Sequence, residues 1–194
     1  MKPLILASSS VFRKTILEKL HLPFSCVSPD IDETAHENEG VVDLVQRLSV
    51  EKAEAVAKAH PDALIIGSDA VACVDDIILG KPLTHENAIA QLALASGKTM
   101  CFYTGLALLD AVTKETQVCV EISKIKMRTL SRAQIEYYLE KEKPYHSAGS
   151  IKAEGLAIAL FESVEGSDFN ALIGLPLMQL IRMLGKAGVQ ILGE

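Results

Sequence analysis

Apolar and polar positions along this chain follow two periods, and the periods divide it into strands and helices. Residues 4–7, Leu-Ile-Leu-Ala, form a short apolar run that reads as a buried strand. Ser10 stands where a cap belongs. Val11, Ile16, Leu17 and Leu20 follow at helical spacing, which predicts a helix to about residue 21, closed by Pro23. Residues 24–28 read as a second strand. After Gly40, residues 41–59 carry Leu44, Val45, Leu48, Ala55 and Val56 on one face of a long helix. Residues 63–67 are a further buried strand, while 71–74 and 77–79 flank Asp75-Asp76, a two-residue hairpin signal. Thr84 caps a helix over 86–95, with Glu86 favourable in its first turn.

Residues 100–110 and 117–127 read as a long antiparallel pair. Ser131 with Gln134 makes a capping box that starts a helix to about residue 141. Residues 144–149 are a loop, 155–161 a strand and 166–170 a turn. Pro176 sits at the first helical position of a last helix to about residue 186. Strands and helices are mixed, with antiparallel pairs in the second half, and no repeat or low-complexity linker interrupts them. That order predicts an α/β protein with a mixed sheet. A chain of 194 residues buries enough surface for one core and reads as a single domain over 1–194.

Charge and cysteine content narrow the function classes. Asp and Glu number 25 against 19 Lys and Arg, a formal net charge of −6, which makes the surface a poor general ligand for nucleic acid. Hydrophobic residues make up 49% of the chain, yet no apolar run approaches the ~20 residues of a spanning helix. The N-terminal run turns polar at Ser8-Ser9-Ser10 and is shorter than a signal-peptide core, so the expected location is the cytoplasm, with no membrane partner. Cys26, Cys73, Cys101 and Cys119 are widely spaced, with no C-x-x-C, and the five histidines show no metal-ligand spacing. They read as buried free thiols and surface histidines.

Four short patterns carry chemistry. Ser8-x-Ser10-x-x-Arg13 lies between a strand end and a helix start, where backbone N–H groups, hydroxyls and the helix dipole together favour an anion. Arg13 in the first turn could clamp phosphate oxygens. The same residues also fit a serine-rich cap beside a solvated arginine. Gly67-Ser68-Asp69 follows an apolar strand, and in open α/β sheets ligands gather at such strand ends. Asp69 there could hold a divalent metal or take a proton from water, or be an ordinary turn residue. Glu33 lies in the acidic loop Asp32-Glu33-Thr34, where it also fits a solvated loop carboxylate, and Lys81 between Gly80 and Pro82 looks positioned; Lys52 on the long helix could be a further cation, although a lone helical lysine is usually a surface residue. Gly97-Lys98-Thr99 imitates the tail of a nucleotide-binding P-loop, but Leu92 stands where that motif needs glycine, and the order helix then strand is reversed.

Taken in order, Ser8-x-Ser10-x-x-Arg13, Asp32-Glu33-Thr34, Glu51-Lys52-Ala53, Ile66-Gly67-Ser68-Asp69, Gly80-Lys81-Pro82, Ala148-Gly149-Ser150 and Gly174-Leu175-Pro176 resemble the Maf-like nucleoside triphosphate pyrophosphatases along nearly the whole chain. The stretches 103–108, 148–155 and 160–162 are most similar to the bacterial subgroup that hydrolyses 7-methyl-GTP. The resemblance implies an elongated, twisted mixed sheet with a cleft between two lobes, related to the inosine triphosphatase fold. It implies hydrolysis of a nucleoside triphosphate to the monophosphate and pyrophosphate with a divalent cation of the Mg²⁺ or Mn²⁺ type, and it is compatible with a homodimer. Asp69 then corresponds to the general base, Glu33 with Asp69 to the metal ligands, and Arg13, Lys52 and Lys81 to the phosphate-binding cations. Ser8 and Ser10 belong to the substrate site, with Phe12, Ala70 and Glu154 at the positions tied to base choice. The subgroup typically has Trp where this chain has Phe12 and Gln where it has Ala70. The alternatives are the dTTP/UTP-preferring relatives, against which Glu154 argues, and a non-enzymatic nucleotide-binding regulator of cell division.

Overall fold

Three parallel strands open the architecture. The computed structural model of the protein describes residues 2–192. The first strand, β1 (Leu4–Leu6), pairs in parallel with β2 (Ser25–Cys26) and with β3 (Leu64–Val74), in the register Leu4 to Leu64, Ile5 to Ile65 and Leu6 to Ile66. Parallel pairing needs crossovers, and α1 (Val11–Glu18) and α2 (Val41–Ala57) supply them. Strand β4 (Ile77–Leu79) turns back antiparallel on β3 through Asp75 and Asp76, both at positive φ (48° and 63°), the primed-turn geometry that matches strand twist. Helix α3 (His85–Ala95) leads to β5 (Thr99–Asp110) and β6 (Thr116–Met127). These two strands are neighbours joined by residues 111–115, a connection too short for a crossover, so they run antiparallel. Helix α4 (Arg132–Glu142), β7 (Phe161–Glu165) antiparallel to β6, α5 (Phe169–Ile173) and α6 (Leu177–Lys186) complete the chain. The sheet has seven strands in the order β2-β1-β3-β5-β6-β7, with β4 attached to β3: the mixed α/β architecture expected.

The chain divides into two compact units. The first comprises Met1–Asp69, Thr104–Glu121 and Gly174–Glu194, and the second Ala70–Tyr103 and Ile122–Ile173. In the first, Ile5, Ala7, Ala53, Val56, Ala63, Ile65, Leu109 and Ala111 form a buried cluster. Helix α2 lies very close to the strands there. A Cβ on Gly67 would stand 2.0 Å from the Ser49 carbonyl oxygen, and one on Gly105 would stand 2.2 Å from that of Val45. Only glycine permits that approach. In the second unit, α3 and α4 cover a core that includes Leu92, Met100, Ile125, Ile135, Tyr138 and Leu139.

Several sequence expectations are corrected. The strand expected at 63–67 does not stop at Gly67 but continues as β3 to Val74, placing Asp69 mid-strand rather than at a strand end. The polar Gly-Ser-Asp step resembles a turn, yet its polar atoms have tertiary partners, so the strand runs on. Residues 156–160 are a 3₁₀ segment and not a strand, with Ala157 and Leu160, three apart, as the buried pair. Residues 169–173, which begin inside the turn region expected at 166–170, are helical. Helix α1 ends at Glu18, His21 turning into left-handed φ (53°) before Pro23 is reached, and Val11 is exposed because the core covers only the Ile16–Leu17 side. Only Ser25 and Cys26 of 24–28 pair, both exposed, so Cys26 is an exposed thiol. Ala53, not Ala55, lies on the buried stripe of α2. Pro176 is the cap residue of α6 rather than its first helical residue.

Candidate active site

The candidate site in the first unit starts from a lysine on an apolar stripe. Along α2, Leu44, Val45, Leu48, Ser49, Lys52, Ala53 and Val56 are all buried, at the i, i+3, i+4 spacing of one helix face. A lysine at such a position needs a counter-charge. It has two: the Lys52 Nζ donates to Asp69 Oδ1 at 2.6 Å and pairs with Glu33 Oε1 at 2.7 Å. Asp69 reaches it from the middle of β3 and is itself buried, while the Glu33 side chain stays half-exposed. One turn before Lys52, the buried Ser49 donates to the Val45 carbonyl at 2.6 Å and accepts the Asp69 backbone N–H at 3.1 Å. That bond fixes the strand against the helix at the acid.

Arg13 enters from the first turn of α1. The Ser10 hydroxyl caps that helix by accepting the Arg13 backbone N–H at 3.4 Å, and the buried Ser8 hydroxyl accepts the Ser10 N–H at 3.1 Å. The Arg13 guanidinium donates through Nε to the Gly174 carbonyl at 2.8 Å and makes a long contact from Nη1 to Ser8 Oγ at 3.5 Å. The same Gly174 carbonyl accepts from Ser68, whose hydroxyl also donates to the Gly105 carbonyl at 2.7 Å. Gly174 presents that carbonyl from a φ of 128°, a conformation side-chain-bearing residues rarely adopt. Among the described residues Arg13 forms no ion pair, although Asp69 and Glu33 are near enough to favour its charge. Burial works against that charge and lowers its pKa from the ordinary arginine value. A half-buried cation without a direct counter-ion, beside serine hydroxyls and a helix N-terminus, is a ready place for an anion. Phe12 sits next to it, half-buried.

The second unit holds Ala70, Lys81 and Glu154. Lys81 is exposed on the loop after β4, and that loop is clamped: the Gly80 carbonyl accepts from Gln91 Nε2 at 3.0 Å and from the Gly149 N–H at 3.2 Å. Buried Ser150 donates to Gln91 Oε1 at 2.6 Å from a positive φ of 59°, a strained conformation its surroundings hold in place. Glu154 follows a turn pinned by α4. The Tyr138 hydroxyl donates to the Ser150 carbonyl and accepts the Lys152 N–H, both at 3.0 Å. Glu142 pairs with Lys152 at 2.9 Å and accepts the Leu156 N–H at 2.7 Å. Partial burial of its carboxyl group raises the Glu154 pKa, although the residue as a whole is exposed. The P-loop look-alike does other work, Lys98 pairing with Asp75 and the Gly97 carbonyl accepting from Lys126. Burial pushes the Cys73 thiol up to about 11, which leaves it protonated near neutrality.

A family model described as Maf-like protein matches residues 3–187. The chain belongs to the Maf-like family. Among curated relatives, this Maf-like chain is 55% identical over 192 residues to the 7-methyl-GTP pyrophosphatase of Pseudomonas syringae pv. syringae (strain B728a), covering 98% of this chain and 100% of that protein. It is 50% identical over 194 residues to the protein of the same name from Colwellia psychrerythraea (strain 34H / ATCC BAA-681), covering 100% and 97%. Among solved structures, the Staphylococcus aureus Ham1 protein aligns with a TM-score of 0.47 and 18% identity, over 66% of this chain and 73% of that one.

The structure brings Ser8, Ser10, Arg13, Glu33, Lys52 and Asp69 of this Maf-like chain into one unit, and places Ala70, Lys81 and Glu154 in the other. Sequence reasoning missed Ser49, Ser68 and Gly174, and in the second unit Gln91, Tyr138 and Glu142. One signal was available: Lys52 and Ser49 interrupt the apolar stripe of α2. Ser68 and Gly174 stand inside the quoted motifs Gly67-Ser68-Asp69 and Gly174-Leu175-Pro176 without a role assigned, and Gln91, Tyr138 and Glu142 act through tertiary hydrogen bonds and ion pairs that carry no local signature.

Nearby, Arg47 forks onto Glu39 and drives its carboxyl from an ordinary 4.5 down to about 2, with the His36 N–H adding to the effect. A lowered carboxylate pKa gives stability that is complete above about pH 4.5 and is lost as pH falls through about 2. The thermal-unfolding difference between the protein and Glu39→Gln should therefore be constant from pH 7 to 5 and shrink to nothing near pH 2.

Proposed function

We propose that the chain hydrolyses a nucleoside triphosphate, 7-methyl-GTP first, to the monophosphate and pyrophosphate. Arg13 is the observation that carries the reading: a half-buried guanidinium with no carboxylate bonded to it, beside the Ser8 and Ser10 hydroxyls and the Lys52–Asp69–Glu33 group. The full-length relatives named 7-methyl-GTP pyrophosphatase support the substrate. Arg13 and the serines bind phosphate oxygens, with Lys52 as a further cation; the family resemblance gives Lys81 the same role. Asp69 orients water and accepts its proton as the water oxygen bonds to the α-phosphorus and the bond from that phosphorus to the bridging oxygen breaks, releasing pyrophosphate.

Glu33 and Asp69 fit a divalent metal, because their oxygens already converge on one cation, the Lys52 ammonium, and oxygen donors suit Mg²⁺ or Mn²⁺. Among the described residues no group of three or more metal-ligating side chains exists, so phosphate oxygens and water would complete the shell. When bound, the ion would supply charge neutralisation at the phosphates. Glu154 carries the kind of group that accepts hydrogen bonds from a guanine edge, and a carboxylate favours the positive charge of a 7-methylated base. No helix among the described residues is long and apolar enough to cross a membrane. A nucleotide substrate supports a cytoplasmic location.

The test is a panel of 7-methyl-GTP, GTP, dTTP, UTP and CTP with Mg²⁺ or Mn²⁺, read as pyrophosphate release. Turnover should be highest with 7-methyl-GTP, vanish with EDTA and return with either metal. A dTTP preference overturns the base assignment, turnover that survives EDTA removes the metal, and binding without pyrophosphate release makes the protein a nucleotide binder instead.

A further inference from the structure

Glu33 lies in a connection, residues 27–40, that has no helix or strand of its own. A segment of that length holds a side chain in place only through ties to the framework. Two of its hydrogen bonds are local: Asp32 Oδ1 accepts the Thr34 N–H at 2.9 Å, and Glu39 Oε2 accepts the His36 N–H at 2.9 Å. Besides the Glu33–Lys52 pair itself, the reach to α2 comes from Arg47. Its Nε and Nη2 donate to the two Glu39 oxygens at 2.6 and 2.7 Å, a bidentate fork, and Nη2 also donates to the Thr34 carbonyl at 3.1 Å. Glu51, one turn further along α2, takes Nη1 at 3.0 Å and so aims the guanidinium. The Arg47 side chain is 19% exposed and that of Glu39 9%, so this tie is shielded where an open surface pair would be weak. Thr34 is the residue next to Glu33, and Arg47 stands five positions before Lys52 on the same helix.

We infer that Arg47 is a positioning residue for the reaction: by clamping Glu39 and the Thr34 carbonyl, it holds the Glu33 carboxylate against Lys52 and Asp69. This rests on the proposed pyrophosphatase reading. Lysine cannot reproduce the clamp, since an ammonium is a point charge that cannot grip both Glu39 oxygens and the carbonyl in one plane. Loss of a group that orients a ligand or catalytic carboxylate costs ~10–100-fold in activity.

The experiment uses Arg47→Lys and Glu39→Gln, each alone and combined with Glu33→Gln, in single-turnover assays with enzyme in excess over 7-methyl-GTP and saturating Mg²⁺. Each change should slow the reaction about tenfold when Glu33 is present. In the Glu33→Gln protein neither should slow it further, because the carboxylate they position is gone. A purely structural role would lower both backgrounds alike. Backbone hydrogen exchange provides an arm independent of turnover: amides of 30–39 should exchange faster in both variants, with those of β3 unchanged. Equal loss in both backgrounds, no loss with Glu33 present, or unaltered exchange over 30–39 overturns the inference. If the unmodified protein releases no pyrophosphate, the functional reading fails by itself, and the exchange arm still decides whether Arg47 restrains the loop.

Discussion

Replacing Asp69 by asparagine should lower kcat for pyrophosphate release by ~10²–10⁴, the usual worth of a positioned general base, and leave the fold standing. The fold survives because the asparagine keeps an oxygen where Lys52 donates, at 2.6 Å in the native protein, and Lys52 retains Glu33 at 2.7 Å as counter-charge. The backbone N–H of residue 69 still reaches Ser49, since the side chain takes no part in that bond. What asparagine cannot do is accept a proton from water. Pyrophosphate release and thermal unfolding, measured on the same preparation, separate the two effects. Undiminished turnover in a folded Asp69→Asn protein would remove Asp69 from the chemistry.

Gly67→Ala and Gly105→Ala should each destabilise the first unit by ~3 kcal/mol or more, the upper end of overpacking costs. The added methyl at residue 67 would meet the Ser49 carbonyl at 2.0 Å, with Ala53 N at 3.1 Å. The one at residue 105 would meet the Val45 carbonyl at 2.2 Å and Ser49 Oγ at 2.5 Å. Most of these obstacles are backbone atoms of α2, which no rotamer change can move aside. Helix and strand must separate, and the separation falls between Ser49 and Lys52, where Asp69 is held. For a chain of this size the loss lowers Tm by about 6–12 °C. Gly185→Ala is the control, since its Cβ would meet nothing within 4 Å and it lies inside α6. Its Tm should be unchanged or slightly raised. An unaltered Tm in Gly67→Ala would show that α2 and β3 are not in close contact.

Legibility in the sequence followed the range of the interactions concerned. The caps at Ser10, Thr84 and Ser131, and the Asp75-Asp76 turn, were read correctly because a cap or a tight turn is decided within four residues. The hydrophobic period placed α2 and the β5–β6 pair within two residues of their ends. The reading failed where distant partners overrule local signals. Gly67-Ser68-Asp69 looks like a turn until Ser68 finds the carbonyls of Gly105 and Gly174. Leu-Ala-Ile-Ala-Leu at 156–160 alternates like a strand, but the Glu142 carboxylate takes the Leu156 N–H at its start, and it winds as a 3₁₀ segment instead.

The same division runs through the candidate site. The residue types needed for phosphate chemistry, Ser8, Ser10, Arg13, Glu33, Lys52, Asp69 and Lys81, stand in the sequence, and their order along the chain was enough to indicate the family. Which of them meet was decided by tertiary structure. Lys52 and Asp69 are 17 residues apart, and they touch because α2 packs on β3 at a distance only Gly67 allows. Arg13 is steered by a carbonyl 161 residues away. Sequence determines periodicity, caps and the inventory of charges, all of them local or compositional. The pairing of those charges depends on burial, which makes each buried ion find its partner and which only the assembled fold creates.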